Sequence, residues 1–211
     1  MGTRLAVAKV SSPYIVGDYP RERLFELLDA GLGKPIVWVS GPGGAGKTHL
    51  LATYIDHRGL DAIWYNVDHG DTDAASFYYY LGLAAKKYTI EQERYLPFLS
   101  PDHAQDLNRF TFRFFEELFQ LMPDRSLLVL DNLQEVHESA TVYKVILEAV
   151  SRVPERVCVV IISRNDPPSR FSPLLAARTM DILRWPDLRF SLKEFTETYW
   201  PSIRSRMLAK R

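Results

Sequence analysis

Short apolar runs alternate with longer stretches of helical periodicity along the whole chain. Pro35 to Ser40 (PIVWVS) is almost wholly apolar, as strands covered on both faces are, and a glycine-rich segment follows at once. Further strands are predicted at Ala62 to Asn66, Ser126 to Leu130, Val157 to Ile162 and Asp181 to Leu183. Between them the periodicity predicts helices at Thr48 to Asp56, Ala74 to Tyr88, Gln105 to Leu121 and Thr141 to Val153. Upstream, Leu24, Leu27 and Leu28 share one face of a helix over Arg21 to Ala30, opened by Pro20 and closed by Gly31 and Gly33. Strands separated by helices imply an α/β fold with a parallel β-sheet core flanked by helices. The segment with Pro97 and Pro101 reads as a surface excursion. Ser191 and Glu194 have capping-box spacing, so another helix is expected to start there and run towards Trp200, where Pro201 stops or kinks it. That divides the chain into a segment 1–19, one main domain 20–190, and the start of another unit at 191–211.

Composition narrows the function classes. The 211 residues carry 26 Lys+Arg and 26 Asp+Glu, so overall charge does not draw this domain to nucleic acid or anionic lipid. Cys158 is the only cysteine and lies in an apolar run, which predicts an inert buried thiol and suits a reducing cytoplasm. No apolar stretch reaches the roughly 18 residues of a membrane span, and Met1 to Val10 lacks the apolar core of a secretory signal. A cytoplasmic protein without membrane contact is expected.

The chemistry centres on GPGGAGKT, Gly41 to Thr48, which fits G-x-x-x-x-G-K-[ST] at every fixed position. Gly41, Gly43, Gly44, Ala45 and Gly46 let the backbone bring its N–H groups against phosphate oxygens, and the next helix adds its positive end. Lys47 is expected to reach the β and γ phosphates, Thr48 to coordinate Mg²⁺, and His49 to flank the nucleotide. ATP or ADP with Mg²⁺ is the predicted cofactor. Asp131 closes SLLVLD and supplies a second Mg²⁺ anchor, pictured on a strand adjacent to the P-loop strand. The alternative for Asp131 is a turn aspartate after a core strand. Many ATPases place a carboxylate at the next position, but here it is Asn132, which hydrogen-bonds water yet takes no proton. Slow hydrolysis follows, with Glu135 and His137 as nearby substitutes that equally suit a solvated loop. At the end of the second apolar strand Arg164 is placed to sense a γ phosphate, or else to pair with Asp166.

These residues resemble the nucleotide-binding domain of MalT-like signal-transduction ATPases, a branch of the STAND class related to NACHT, NB-ARC and AAA+ proteins. Beyond the P-loop the resemblance rests on PRERL (Pro20 to Leu24), WYNVDHGDTDAASFYYYL (Trp64 to Leu81), LLVLDN, ISRNDPP (Ile161 to Pro168) and WPDLRFSLKEF (Trp185 to Phe195). It implies a P-loop NTPase fold whose nucleotide acts as a switch, with ADP holding a closed form and ATP permitting self-assembly of the full-length protein. It further implies Walker A roles for Lys47 and Thr48, the Walker B role for Asp131, a sensor role for Arg164, and a border with the nucleotide base for Arg21 or Glu22. Residues 191–211 then correspond to the first helix of a helical lid, and sensor repeats and a transcriptional or other effector module lie in other parts of such proteins.

Rival readings are a P-loop kinase acting on a small molecule and a non-hydrolysing nucleotide-binding module. A G-protein is disfavoured because no N-K-x-D segment occurs. The aromatics Phe77 to Tyr80 and Phe110 to Phe119 lie on helices with few basic neighbours, which favours packing over base stacking. The histidines lack zinc-site spacing. Asp68, Asp71 and Asp73 depart from a calcium loop and are expected to shape the loop beside the nucleotide site or to cap the next helix. The basic stretch Arg204 to Arg211 reads as a solvated helix end.

Overall fold

In a computed structural model, described for residues 8–15, 20–91, 93–100 and 106–196, five parallel strands form one sheet. In chain order the elements are α1 (Glu22–Gly31), β1 (Ile36–Ser40), α2 (Lys47–Arg58), β2 (Ala62–Asn66), α3 (Ala74–Ala84), α4 (Lys86–Glu91), α5 (Leu107–Leu121), β3 (Ser126–Asp131), α6 (Thr141–Val150), β4 (Val157–Ser163), α7 (Ser172–Ala176), β5 (Met180–Leu183) and α8 (Trp185–Leu188). Short 3₁₀ turns stand at His69–Thr72, Leu133–Glu135 and Ser169–Phe171.

Helices cover both faces, so β1, β3 and β4 are buried along their whole length and read as unbroken apolar runs. The two-residue alternation survives in which layer each side chain enters. Ile36, Trp38, Leu128, Leu130, Val159 and Ile161 join the core under α3, α5 and α6. Val37, Val39, Leu127, Val129, Val160 and Ile162 join the core under α1 and α2. In the first core Tyr78 meets Phe110 and Phe114 edge-on with ring centroids 4.8 Å apart, and its hydroxyl bonds Thr111 Oγ1 at 2.6 Å. Most of the aromatics thus pack, although Tyr79 is half exposed.

Three expectations change. The strand order is β2-β3-β4-β1-β5, so β3, which carries Asp131, is not adjacent to β1; β4 stands between them. Alternation dictates parallel strands, but order depends on which side of the sheet each crossover passes, and no local residue encodes that. The expected helix 74–88 is two helices, because Ala85 closes α3 and Tyr88 turns inward to donate its hydroxyl to Asp61 at 3.0 Å. On α1 the inward residues are Leu24, Phe25, Leu28 and Gly31, while Leu27 faces outward, since the packed face is centred one residue away from the leucine pattern. The three aspartates do shape the loop and cap the next helix: Asp73 caps α3 through Ser76 N, and Asp68 and Asp71 close a capping box on the His69–Thr72 turn, while Asp68 and the fully buried Asp71 also hold Lys9 at 2.6 and 2.9 Å. The Tyr65 hydroxyl also donates to Asp71, at 2.6 Å, so the N-terminal segment is pinned beside β2.

The capping box forms: Ser191 N donates to Glu194 Oε2 at 2.6 Å and Glu194 N to Ser191 Oγ at 3.1 Å. Residues 192–196 are helical, and the predicted run to Trp200 and Pro201, like the basic stretch 204–211, lies outside the described residues. Glu194 also receives Arg21 Nε at 3.2 Å, and Arg21 donates to Leu188 O and Arg189 O at 2.8 and 2.9 Å. Burial opposes ionisation of Glu194, yet the bonds from Arg21 and Ser191 outweigh it and hold the carboxyl at about 2 rather than 4.5. A depressed folded-state value contributes stability above the ordinary one, and that contribution is lost as pH falls from 4.5 through about 2. Glu194→Gln is expected to cost about 2 kcal/mol at neutral pH after allowance for solvent screening. The cost disappears in acid. Thermal unfolding of both proteins between pH 7 and pH 2 checks this, and parallel curves would refute the assignment.

Candidate phosphate-binding site

The carboxyl end of β1 opens directly into Gly41 to Gly46, and α2 begins at Lys47. Gly44 and Gly46 have φ of 78° and 77°, a region that costs a side-chain-bearing residue and costs glycine nothing, so the loop turns back and presents the start of α2 to solvent. That start frames a cavity of about 390 Å³ lined by Gly43, Gly44, Ala45, Gly46, Lys47, Thr48, His49, Asn132 and Arg164. Gly41 lies just inside, against Leu188. Exposed N–H groups at a helix start suit an anion.

Lys47 curls over the loop, donating to Gly41 O at 2.6 Å and Pro42 O at 3.0 Å. Burial lowers its ammonium below the usual lysine range and nearby Arg164 adds to this, while Asp131 opposes it. Thr48 Oγ1 donates to Asp131 Oδ1 at 3.2 Å, so the tertiary fold brings together two residues 83 positions apart in sequence. Asp131 is 2% exposed. Burial raises its carboxyl above the ordinary range, against the pull of the Thr48 hydroxyl, the Asn132 amide and the Lys47 charge. A buried carboxylate beside a hydroxyl is short of positive charge and offers only oxygens. That suits a hard cation such as Mg²⁺, which takes few protein ligands and fills its shell with phosphate and water oxygens. No group of three or more His, Cys, Asp or Glu occurs among the described residues to form a protein-only metal cage.

Asn132 has φ 60° and ψ 37°, a left-handed turn that asparagine tolerates. The turn points its N–H back to Asp131 Oδ1 at 2.8 Å. Its carboxamide bonds Asn66 Oδ1 at 2.8 Å through Nδ2 and accepts from Gln134 Nε2 at 3.1 Å. Arg164 reaches Glu135 at 3.8 Å and borders Gly43, whereas Asp166 binds the Ser40 hydroxyl and Arg184, the latter at 3.1 Å. The Arg164–Asp166 alternative is therefore not what forms. Glu135 stands near the site through Arg164, while His137 bonds Ser139 in its own loop.

Arg21 and Glu22 do not join this group. Arg21 is occupied by the Leu188 and Arg189 carbonyls and Glu194 and stacks over Phe190 at 4.1 Å, and Glu22 pairs with Arg58 at 2.7 Å. The upstream border of the cavity is instead Pro13, Tyr14 and Ile15, with Tyr14 92% exposed. This small apolar island in a polar segment was the signal in the sequence. Asn66 and Gln134 carried none, the first being a single polar residue at the end of a predicted strand and the second one of several polar residues in a connecting loop. A second cavity of about 460 Å³ opens at the amino ends of the strands, but its Arg58, Tyr54 and Asp29 bond one another and it has no backbone cradle. Cys158 lines it, 3% exposed, with burial pushing its thiol up to about 12, so it is not a nucleophile at neutral pH.

The sequence model of the family described as Nephrocystin 3, N-terminal, matches residues 22–164, more than half of the chain. Comparison with curated proteins gives no match. Among solved structures, a Walker-type ATPase of Pyrococcus abyssi superposes with a TM-score of 0.50 at 13% identity, covering 95% of this chain and 62% of that one. AMPPCP-bound DnaA from Aquifex aeolicus gives 0.43 at 16% identity, covering 91% and 53%. The Aeropyrum pernix ORC1 protein in complex with DNA gives 0.49 at 12% identity, covering 92% and 51%. The chain thus spans between half and two thirds of these structures. The likeness to the Walker-type ATPase shows a P-loop NTPase fold and does not single out MalT-like regulators. None of the described helices is long and apolar enough to cross a membrane.

Proposed function

The chain belongs to the Nephrocystin 3 N-terminal family, and we propose that it is the ATP/ADP-binding switch domain of a STAND-type, MalT-like signal-transduction regulator, with slow Mg²⁺-dependent hydrolysis. The observation that carries this reading is that Lys47, Thr48 and Arg164 line one cavity, with Asp131 bonded to Thr48 behind it, beside an Asn132 that cannot accept a proton and whose carboxamide is already bonded on both sides. Thr48 and Asp131 would hold Mg²⁺, which would supply charge neutralisation for the β and γ phosphates. Lys47, released from Gly41 O and Pro42 O, binds those phosphates, and Arg164 distinguishes ATP from ADP by meeting the third phosphate. Tyr14 offers a face for the base. Self-association of the full-length protein on ATP binding belongs to the same reading, as does a cytoplasmic location.

The bonded state of Asn132 also favours a second reading, a module that binds nucleotide without turning it over. Phosphate release from ATP and Mg²⁺, compared with the Lys47→Ala variant, separates the two. Release abolished by the substitution supports the switch. Tight binding with no release supports the module, and no binding of either nucleotide refutes both. Asn132→Asp is expected to raise turnover about a hundredfold, the low end of what a positioned general base contributes. Aspartate tolerates the same left-handed turn and still accepts from Gln134. An unchanged rate would remove the missing carboxylate as the reason for slowness.

A further inference from the structure

The carboxyl ends of β2, β3 and β4 are joined by a row of side-chain amides whose centre is Gln134. Its Nε2 donates to Asn132 Oδ1 at 3.1 Å and to Glu135 Oε1 at 3.2 Å, and its Oε1 accepts from Arg164 N at 2.9 Å. A carboxamide has two N–H donors, and both are engaged, while the acceptor is taken by a backbone amide. Its orientation is fixed by its neighbours. A half-turn would set oxygen against the Asn132 oxygen and the Glu135 carboxylate, and nitrogen against the Arg164 N–H. Asn132 is fixed in the same way from the other side, since Asn66 Oδ1 accepts from its Nδ2 at 2.8 Å. Asn66, Asn132, Gln134 and Arg164 therefore form a continuous chain of bonds with a single consistent direction.

Two features give this chain a mechanical consequence. Arg164 is a cavity residue on the β4 loop, and among the described residues its guanidinium is held by no more than a 3.8 Å pairing with half-exposed Glu135, leaving it able to turn towards a phosphate. Glu135 is also a partner of Gln134, so a phosphate that draws Arg164 away from Glu135 changes the charge facing the Gln134 amide. Gln134 thus touches both the residue positioned for the third phosphate and the residue next to Asp131.

We propose that Gln134 is a positioning residue that couples Arg164 to Asn132, so that occupancy of the third phosphate position sets how the Asn132 carboxamide is held. This rests on the switch reading of the cradle. In the resting arrangement Gln134 and Asn66 keep Asn132 bonded to protein. When Arg164 turns to the phosphate, Gln134 follows the β4 loop and frees Asn132 Oδ1 to orient a water.

The test compares ATP and ADP affinity, with Mg²⁺, for wild type, Arg164→Ala, Gln134→Leu, Gln134→Glu and the Gln134→Leu/Arg164→Ala double variant. Gln134→Leu keeps the side-chain bulk and removes all three bonds, and should reduce the preference for ATP over ADP about tenfold, within the range of site-to-site coupling. The double variant should lose no more preference than Arg164→Ala alone, because both changes cut one path. Gln134→Glu keeps the acceptor for Arg164 N but loses the donors to Asn132 and Glu135, so it should retain most of the preference while Asn132 Oδ1, no longer held, lets turnover rise above wild type. A Gln134→Leu protein that keeps the wild-type preference, or losses that add in the double variant, overturns the coupling. Should Gln134→Leu fail to fold, Gln134→Glu decides alone: preference lost with turnover no higher than wild type overturns it. Wild type without any preference, or Arg164→Ala without effect, overturns the switch reading beneath it and is read from different proteins.

Discussion

Lys47→Ala is expected to weaken ATP binding about a hundredfold while leaving the nucleotide-free protein folded. A charge-assisted bond between ammonium and phosphate contributes roughly 1.5–3 kcal/mol, and one lysine serves two phosphates. The fold should survive for a separate reason. Lys47 is 8% exposed and burial disfavours its charged form, so alanine relieves a desolvated ammonium while leaving Gly41 O and Pro42 O without one donor. These effects oppose each other, and the melting temperature without ligand should stay within a few degrees of wild type. Titration calorimetry measures the first effect and thermal unfolding with and without ATP the second. Retained affinity in a well-folded variant would refute the role of Lys47.

Asp131→Asn is expected to stabilise the protein without ligand and to abolish the Mg²⁺ dependence of nucleotide binding. Burial raises the Asp131 carboxyl, so ionisation in the fold costs free energy. With a folded-state value above the unfolded one, stability is greatest in acid and declines as pH rises through the ordinary carboxylate range, and the cost is fully present at neutral pH. Asparagine keeps an oxygen to accept from Thr48 Oγ1 and Asn132 N, and removes the charge. A gain on the order of 1 kcal/mol at pH 7 should follow, vanishing in acid. Binding should move the other way: wild type should bind ATP more tightly with Mg²⁺, and the variant equally with and without it. Unfolding at pH 7 and pH 3, with binding in Mg²⁺ and in chelator, reads both outcomes. A variant destabilised at pH 7 would show that the carboxylate is a net structural support instead.

Several features were legible in the residues because their causes are local. Apolar runs at β1, β3 and β4 mark strands wherever they sit, since a strand with both faces covered must be apolar at successive positions. Gly44 and Gly46 mark a left-handed loop because only backbone freedom permits it. Ser191 and Glu194 mark a helix start because the capping bonds span three residues. From these, the parallel α/β sheet and a phosphate cradle running into α2 followed without reference to distant parts of the chain.

What lay beyond the sequence depends on residues brought together from far apart. The order β2-β3-β4-β1-β5 places β4 between the P-loop strand and the Asp131 strand, so Arg164 arrives at the centre of the site rather than at its edge. Arg21, read as a neighbour of the nucleotide, is captured by Leu188, Arg189 and Glu194 more than 160 positions downstream. Tyr14 borders the cavity because Lys9, five residues earlier, is held by Asp68 and Asp71. Asn66 and Gln134 gain their meaning only where three strand ends meet. Local sequence determined the elements and the cradle, since propensity, turn geometry and capping act within a few residues. The tertiary structure alone decided which polar groups complete that cradle, because a hydrogen bond is set by separation in space and carries no trace of separation along the chain.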